Sequence, residues 1–465
     1  MLEKVEGEVL GESVEAVVPI IPVFGGTAVN GFCPEEGSGV YPKYMAYGVG
    51  SIPVSTMNRE FWWKLVPASV WRSSLTLQVE LGRLAGHMRM VEWFVGSVLK
   101  DARGNPPMNW DAAVAKGQAS TTWTSAAVQD GLAHAEGEAK TAFDSWLQHR
   151  NRPQLIAAVV LGVVVPRESS LDGVTVDDIV KFAPVVVQCE GGRTARLLMS
   201  PMALRVMCGA PAQKEFQPFT DAVRALLDAV YGTTSTLELG FEAFENLCAL
   251  QLAVQKMGYW VLGMSVTCGH VFRGAVFVGR SESIQFSKPE SRSRRAARLS
   301  NLGSIQVIHA LRRFPEAPIV DISSRDSMAV AGVGHVFVNA KGAPFADVAS
   351  RLLSNVDEFL ALKRYVDSYF DVPLVVKEVR KVCKRLDQWR GVAPGGAGSV
   401  VVFISLGHYT GGKGDSDGRR RDALIADVGR AAADFLLPTV VVCRGCGLEE
   451  LFGPLLEAVA LRCRE

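Results

Sequence analysis

The sequence contains no long apolar run and no basic N-terminal segment that leads into one. Its longest apolar stretch, "LIAAVVLGVVVP" at Leu155–Pro166, is shorter than the roughly 20 residues that a membrane-spanning helix needs, and it ends in proline. The acidic start "MLEKVEGEVLGES" does not resemble a secretory signal. We therefore expect no membrane partner and an intracellular protein, with the nucleus as one location.

Motifs for nucleotide hydrolysis and for a serine hydrolase are also missing. The glycine-rich stretches "GGAGS" at 395–399 and "GGKGDSDG" at 411–418 do not match G-x-x-x-x-G-K-[ST], so they predict flexible loops rather than a phosphate cradle. No G-x-S-x-G elbow is present, and the seven histidines are scattered singly. The sequence therefore predicts neither an ATPase nor a serine hydrolase.

Cysteine usage argues against a disulfide framework. The chain has nine cysteines, an odd number without regular spacing, which favours a reducing compartment. The close pair Cys443 and Cys446 lacks the second pair that a zinc site of about four ligands requires. This pair predicts a strand end and a turn, with zinc or redox chemistry as the alternative.

Net charge excludes a polyelectrolyte binder, because 49 basic and 48 acidic residues leave +1. Any nucleic-acid surface must arise from local clustering. The stretch "KEVRKVCKRLDQWR" at 377–390 is one cluster, and 291–299 and 418–422 are others. The cations of 377–390 recur every three or four residues and therefore predict one basic face of a helix. This face is either a phosphate-binding surface or a solvated one. The residues of that face are Lys377, Lys381, Lys384 and Arg385.

Length and hydropathy patterning predict several domains with large cores. The 465 residues are 48% hydrophobic. Residues 154–206 follow the order helix, helix, two-stranded wing, which predicts a winged helix that serves as a docking module or contacts DNA. In residues 236–465, apolar runs alternate with helical patterns, which indicates an α/β sheet covered on both faces.

Three polar residues in this last region suggest a metal-dependent nuclease. Glu242 or Glu245 lies on a long predicted helix, Asp347 follows the apolar run "HVFVNA", and Lys363 ends the next run, "EFLALK". Acids on a first helix and at a strand end can hold Mg²⁺, and a lysine on the adjacent strand can orient the attacking water. A surface ion pair between Asp347 and Lys363 is the alternative interpretation.

Several stretches, in order, resemble the Crinkler and retrotransposon-hot-spot (RHS) family of multi-gene proteins. The first two resemble the late strand and the lid helix of its P-loop ATPase. The others resemble the start, the central strand with its aspartate and the closing segment of its restriction-like, PD-(D/E)XK nuclease domain. The stretches are "VPIIPVFGGTAV" at 18–29, "LGRLAGHMRMVEWFV" at 81–95, "LGFEAFENLCAL" at 239–250, "VNAKGAPFADV" at 338–348 and "EELFGPLLEAVA" at 449–460.

This resemblance implies an α/β multidomain protein. Residues 1–110 would be a truncated P-loop ATPase remnant with lid helices, and residues 111–235 a helical linker and winged helix. Residues 236–465 would be a restriction-endonuclease-like domain with a mixed central sheet. The resemblance places Glu242 at the first-helix acid and implies that Asp347 and Glu242 hold Mg²⁺ if the domain is active.

One departure weakens the expectation of catalysis. The family has glutamate or glutamine two residues before the lysine, whereas this chain has Ala361, which offers no oxygen to a metal. We therefore expect a degenerate nuclease-like protein that binds DNA or RNA with weak or no phosphodiester hydrolysis. The alternative is a non-enzymatic effector or scaffold that acts through protein partners.

Overall fold

A computed structural model divides the chain into two units, residues 1–48 and residues 49–465. Our description is confined to part of the chain. The described residues are 2–9, 12–19, 75–84, 88–98, 125–149, 151–166, 170–171, 174–175, 186–190, 194–210, 216–232, 240–287, 306–309, 335–339, 344–351, 356–364, 366, 368–392, 396, 398–412 and 417–463.

The first unit contains an antiparallel hairpin. Strand β1 (Leu2–Val9) pairs with β2 (Glu12–Pro19), and the pairing of Val9 with Glu12 leaves a two-residue connection. The sequence predicts a strand at 15–24, of which the part up to Pro19 is confirmed and the rest lies outside the described residues. The predicted domain limits at 110 and 235 stay predictions.

Helices dominate the first half of the second unit. The apolar pattern of residues 73–100 predicts two helices separated at "AGH", residues 85–87, and both are confirmed. The helices before residue 235 are α1 (Leu75–Gly82), α2 (Met88–Val98), α3 (Ser125–Ala142), α4 (Asp144–Leu147), α5 (Arg152–Val160), α6 (Pro201–Gly209) and α7 (Gln217–Tyr231).

The two strands predicted for the wing are confirmed between α5 and α6, as β6 and β7. They belong to an antiparallel sheet of three strands in the order β3, β7, β6, and β4 pairs with β5 in a separate two-stranded sheet. The helix predicted to follow Thr175 lies outside the described residues. The strands are β3 (Val164–Pro166), β4 (Ser170–Leu171), β5 (Val174–Thr175), β6 (Val186–Glu190) and β7 (Thr194–Leu198).

Helix α6 was not predicted, although its N-terminus carries a readable signal. The hydroxyl of Ser200 accepts a hydrogen bond from the N–H of Ala203, and Pro201 occupies the first helical position. Both residue types are favoured at these two positions because they satisfy, or remove, a backbone donor without a partner.

A seven-stranded mixed sheet forms the centre of the second half, so residues 49–465 are a mixed α/β unit. In spatial order its strands are β11 (Gln306–His309), β12 (His335–Val338), β13 (Val348–Ser350), β14 (Val356–Lys363), β16 (Gly398–Ser405), β18 (Thr439–Val442) and β9 (Val276–Val278). Strands β12, β13 and β14 form an antiparallel meander, and β16 and β18 continue the sheet parallel to β14. Strand β11 is parallel to β12, and β9 is antiparallel to β18.

Helices cover both faces of this sheet, as its apolar strands predict. On one face, Leu360 and Leu362 pack into a core that includes helix α8 (Phe241–Val261). On the other face, Phe359 and Ala361 pack under helix α10 (Val372–Cys383) and its neighbour α11 (Leu386–Val392). A sheet buried on both faces needs apolar residues at successive positions.

Short elements complete the described part. They are β8 (Val266–Thr267), α9 (Cys268–Val271), β10 (Gln285–Ser287), β15 (Tyr369–Phe370), β17 (His408–Tyr409), α12 (Asp417–Arg430), a 3₁₀ turn (Ala432–Asp434), α13 (Leu448–Phe452) and α14 (Leu456–Arg462). Among them, β8 pairs with β10 and β15 pairs with β17 in two separate two-stranded sheets. No helix among the described residues is long and apolar enough to span a membrane.

The close cysteine pair forms the predicted turn after β18. Cys443 and Cys446 exchange both backbone hydrogen bonds, at 3.0 and 2.8 Å, and both are buried. None of the seven cysteines whose side chains are described is in a disulfide.

Candidate functional site

Helix α8 crosses the sheet antiparallel to β14, and this crossing creates the site. At one end, Lys256 of α8 forms a buried ion pair with Glu358 of β14. Glu245 lies eleven positions before Lys256 on the helix, a distance of about 16 Å. Lys363 lies five positions after Glu358 on the strand, which is also about 16 Å. Glu245 of α8 therefore lies at the level of Lys363, at the carboxyl end of β14.

Asp347 joins the same sheet end through its backbone and its carboxylate. Its N–H donates to the carbonyl of Leu360 at 2.9 Å, and its own carbonyl accepts from Asn339 at 2.8 Å. Its Oδ2 accepts a hydrogen bond from the N–H of Leu362 at 2.7 Å. Asp347 follows β12, as predicted, and it also leads into β13, a strand that the sequence analysis missed.

Lys363 is the last residue of β14 and faces helix α10. Its Nζ lies 3.1 Å from Glu378 Oε1, and Lys381 Nζ lies 3.2 Å from Glu378 Oε2. In the described part, no ion pair joins Lys363 to Asp347, so the predicted surface pair is replaced by a bond to Glu378. Although burial acts in the opposite direction, Lys363 and Lys381 lower the pKa of Glu378. Glu378 is the site residue that sequence reasoning missed.

Of the two acids on α8, the resemblance selects Glu242, whereas the structure turns Glu245 toward the site. Glu242 is exposed in the first turn of the helix, whereas Glu245 is 1% exposed. One oxygen of Glu245, Oε2, has no hydrogen-bond partner. Burial raises the pKa of Glu245 to about 8, and the charges of Asp347 and Glu242 raise it as well, whereas Lys363 lowers it. These four predicted residues therefore act on one another electrostatically.

The carboxylate of Asp347 is also affected by burial. Burial raises its pKa, while the N–H of Leu362 and the charge of Lys363 act in the opposite direction. Two acids with raised pKa values next to a lysine are typical of functional sites as well as of structural ion-pair networks.

The side chain at position 361 is buried between β14 and helix α10. The pairing of Val348 with Leu360 places Ala361 opposite Asp347, and opposite residues on antiparallel strands share a face. Ala361 is 1% exposed and packs in one cluster with Val375 and Val376 of α10. Glu358 faces α8, on the side of the strand opposite to Ala361, so it cannot serve in place of an acid at 361.

The four predicted nucleic-acid residues lie together on and just after α10. Lys377 and Lys384 are exposed, whereas Lys381 and Arg385 are half-buried. They line a cleft of about 1130 Å³ between α10 and α12. The cations that line it are Lys377, Arg380, Lys381, Lys384, Arg385 and Arg430. Lys381 also bonds to Glu378, which links the cleft to Lys363. The basic run 291–299 lies outside the described residues.

The carboxylates fit a divalent cation only in part. Among the described residues, no group of three or more His, Cys, Asp or Glu side chains is placed to hold a metal ion. Asp347 and Glu245 supply two carboxylates, and Mg²⁺ is often held by one or two carboxylates together with substrate phosphates and water. Glu245 must first lose the proton that it holds below about pH 8.

Comparisons with known proteins return no relative. No protein-family model, no curated protein and no solved structure matches the chain. The resemblance to the Crinkler and RHS family therefore rests on its sequence motifs, and the family stays a proposal.

Proposed function

We propose that residues 236–465 form a restriction-endonuclease-like domain that binds nucleic acid and hydrolyses phosphodiesters weakly or not at all. In this proposal the chain is a member of the Crinkler and RHS type, with an ATPase remnant and a winged helix before the domain. The observation that carries it is the convergence of Glu245, Asp347 and Lys363 at one end of the sheet, beside the basic cleft.

The order of elements supports this proposal. A long helix bearing the acid is followed by the meander β12, β13, β14, then by helix α10 and the parallel strand β16. Asp347 and Lys363 lie on neighbouring strands, as the restriction-like arrangement requires. Ligands of α/β sheets bind outside the carboxyl ends of parallel strands, which is where Lys363 lies.

Three features argue for weak hydrolysis. Ala361 supplies no ligand, Glu245 is protonated at neutral pH, and Lys363 is engaged by Glu378. Asp347 and Glu245 are the residues that would hold Mg²⁺, which when bound lowers the pKa of an attacking water. Restoring an acid at position 361 is not a clean test, because the new carboxylate would be buried against Val375 and Val376.

Nucleic-acid binding does not depend on hydrolysis. The side chains of Lys377, Lys384 and Arg385 make no ion pair or hydrogen bond within the described part of the chain, so their charges are available to phosphates. Phosphate contacts release counterions and make affinity fall as salt rises. The cleft thus provides binding even where the carboxylate site provides no chemistry.

The test combines cleavage of supercoiled plasmid with Mg²⁺ or Mn²⁺ and binding of DNA and RNA over a range of salt concentrations. We expect salt-dependent binding by the wild type and by Asp347→Asn, and at most slow nicking that Asp347→Asn abolishes. Asp387→Asn on α11, whose carboxylate is almost fully exposed, is the matched control and should nick as the wild type does. Failure to bind DNA or RNA at any salt concentration would favour the scaffold alternative. Rapid cutting that survives in Asp347→Asn would show that this site is not responsible.

A further inference from the structure

The two walls of the cleft differ in charge. Helix α10 and the two residues that follow it contribute five of the six cations, whereas the opposite wall carries Asp427, Asp434 and the sixth cation, Arg430. Asp427 bonds to Arg430 and to the hydroxyl of Tyr409, both on the same side of the cleft. A ligand with negative charge along one side is therefore attracted to the α10 wall. Negative charge on its other side would face the carboxylates of Asp427 and Asp434.

One ion pair joins the two walls. Arg380 of α10 reaches Asp434 of the 3₁₀ turn at 2.8 Å, with both side chains about half exposed. The cleft at that point is spanned by one arginine side chain. A double helix, whose major groove alone is about 12 Å wide, does not enter an opening of this kind.

The length of the basic wall matches a short single strand. From Lys377 to Arg385 the chain advances about 12 Å at about 1.5 Å per residue. In a strand whose bases stay stacked as in a double helix, phosphates follow one another at about 3.4 Å along the axis, so roughly three of them align with this wall. Three of its cations, Lys377, Lys384 and Arg385, have no side-chain partner in the described part of the chain.

An exposed aromatic residue lies two positions before a residue that lines the cleft. Tyr369 is 49% exposed and is the one exposed aromatic residue among the described large apolar side chains. It precedes Asp371, which lines the cleft, by two residues of extended chain, so both side chains emerge on the same side. The ring of Tyr369 lies 6.1 Å from that of His408. Unpaired bases stack on such a ring, whereas the bases of a duplex are hidden.

We propose that this cleft binds single-stranded nucleic acid, with about three phosphates along α10 and a base on Tyr369. This inference rests on the proposed nucleic-acid binding and names its substrate class. A single strand can place its phosphates along the basic wall and stack a base on the ring of Tyr369. A duplex has a second anionic strand and no unpaired base, so it suits neither the one-sided charge nor the exposed ring. DNA and RNA single strands share this chemistry.

The test is fluorescence anisotropy with the full chain and a labelled 12-nucleotide strand, as DNA, as RNA and as the matched duplex. We expect the single strands to bind at least about tenfold more tightly than the duplex. The slope of log K against log salt should be about −2, since three contacts contribute about −0.7 each. Lys384→Gln should make this slope shallower by about 0.7. Tyr369→Ala should weaken binding about tenfold and leave the slope unchanged.

Arg390→Gln is the matched control, because Arg390 is an exposed cation on α11 that does not line the cleft. It should change neither affinity nor slope by more than the error. Equal or tighter binding of the duplex overturns the single-strand inference and leaves the proposed function standing. An unchanged affinity in Tyr369→Ala overturns the stacking contact. Absence of binding to all three ligands overturns both proposals.

Discussion

The two ends of β14 carry the same pair of residue types in opposite arrangements. At its start, an acid on the strand, Glu358, meets a lysine on α8, Lys256. At its end, a lysine on the strand, Lys363, lies at the level of an acid on α8, Glu245. The first pair is closed and bonded. In the second, the lysine bonds instead to Glu378 of α10, and Glu245 makes no ion pair within the described part of the chain.

The difference separates a structural ion pair from a candidate site. Lys256 and Glu358 are almost completely buried, and Lys256 also lies 4.2 Å from the ring centre of Phe286, so little there can respond to a ligand. The end at Lys363 has a half-buried lysine, two carboxyls with raised pKa values and a link through Lys381 to an open cleft. Burial without a partner is costly to stability, and such costs are common where a protein binds or reacts.

The largest effect is expected from breaking the closed pair. Lys256→Met leaves the Glu358 carboxylate buried without its cation and should destabilise the folded state by about 3–5 kcal/mol. The double variant Lys256→Met with Glu358→Leu removes both charges and should recover most of that loss. Urea denaturation measures both. If the double variant is no more stable than Lys256→Met, the unpaired charge of Glu358 is not the cause of the destabilisation.

A smaller effect is expected at the open end, and it depends on pH. The pKa of Glu245 is raised from 4.5 to about 8, so the folded state holds a proton that the unfolded chain releases above about pH 4.5. Stability contributed by this proton is complete below that pH and is lost as pH rises through 8. Between pH 6 and pH 8 the wild type should lose about 2 kcal/mol from this group.

Glu245→Gln should abolish that loss and be more stable than the wild type above pH 8. The measurement is the free energy of unfolding in urea at pH 6, 8 and 9. Glu138→Gln on α3, an exposed glutamate, is the matched control and should keep the pH dependence of the wild type. Parallel pH profiles for wild type and Glu245→Gln would show that Glu245 is ionised in the folded protein.

The smallest effect is expected from removing the bond that engages Lys363. Glu378→Gln frees Lys363 and Lys381 from a carboxylate, and stability should change by no more than about 1 kcal/mol because both lysines remain partly exposed. Affinity for nucleic acid should rise a fewfold, and the salt slope should steepen by about 0.7 because one more cation meets a phosphate. Anisotropy titrations measure both, with Glu138→Gln again as control. An affinity that falls would mean that Glu378 positions the lysines for binding.

Sequence reasoning recovered the long, strongly patterned elements. The apolar runs at β12, β14, β16 and β18 and the amphipathic pattern of α10 are local, and each is confirmed. Strand β13 was missed because its three residues, Val348–Ser350, are too few to show a period, and their pairing with two other strands defines them. The predictions that fall on 176–183 and 291–299 lie outside the described residues.

The sequence by itself determined which residues could form the site, namely Asp347, Lys363 and the acids on α8. It also showed that Ala361 supplies no carboxylate. The basic face from Lys377 to Arg385 was determined in the same way, because helical spacing places its residues together without help from the rest of the chain. Only the tertiary structure decided that Glu245, and not Glu242, turns inward, and that Glu378 reaches Lys363. Those outcomes depend on how α8 and α10 pack against β14, which brings together residues more than a hundred positions apart in the first case. Burial and pairing are properties of that packing, and no local pattern contains them.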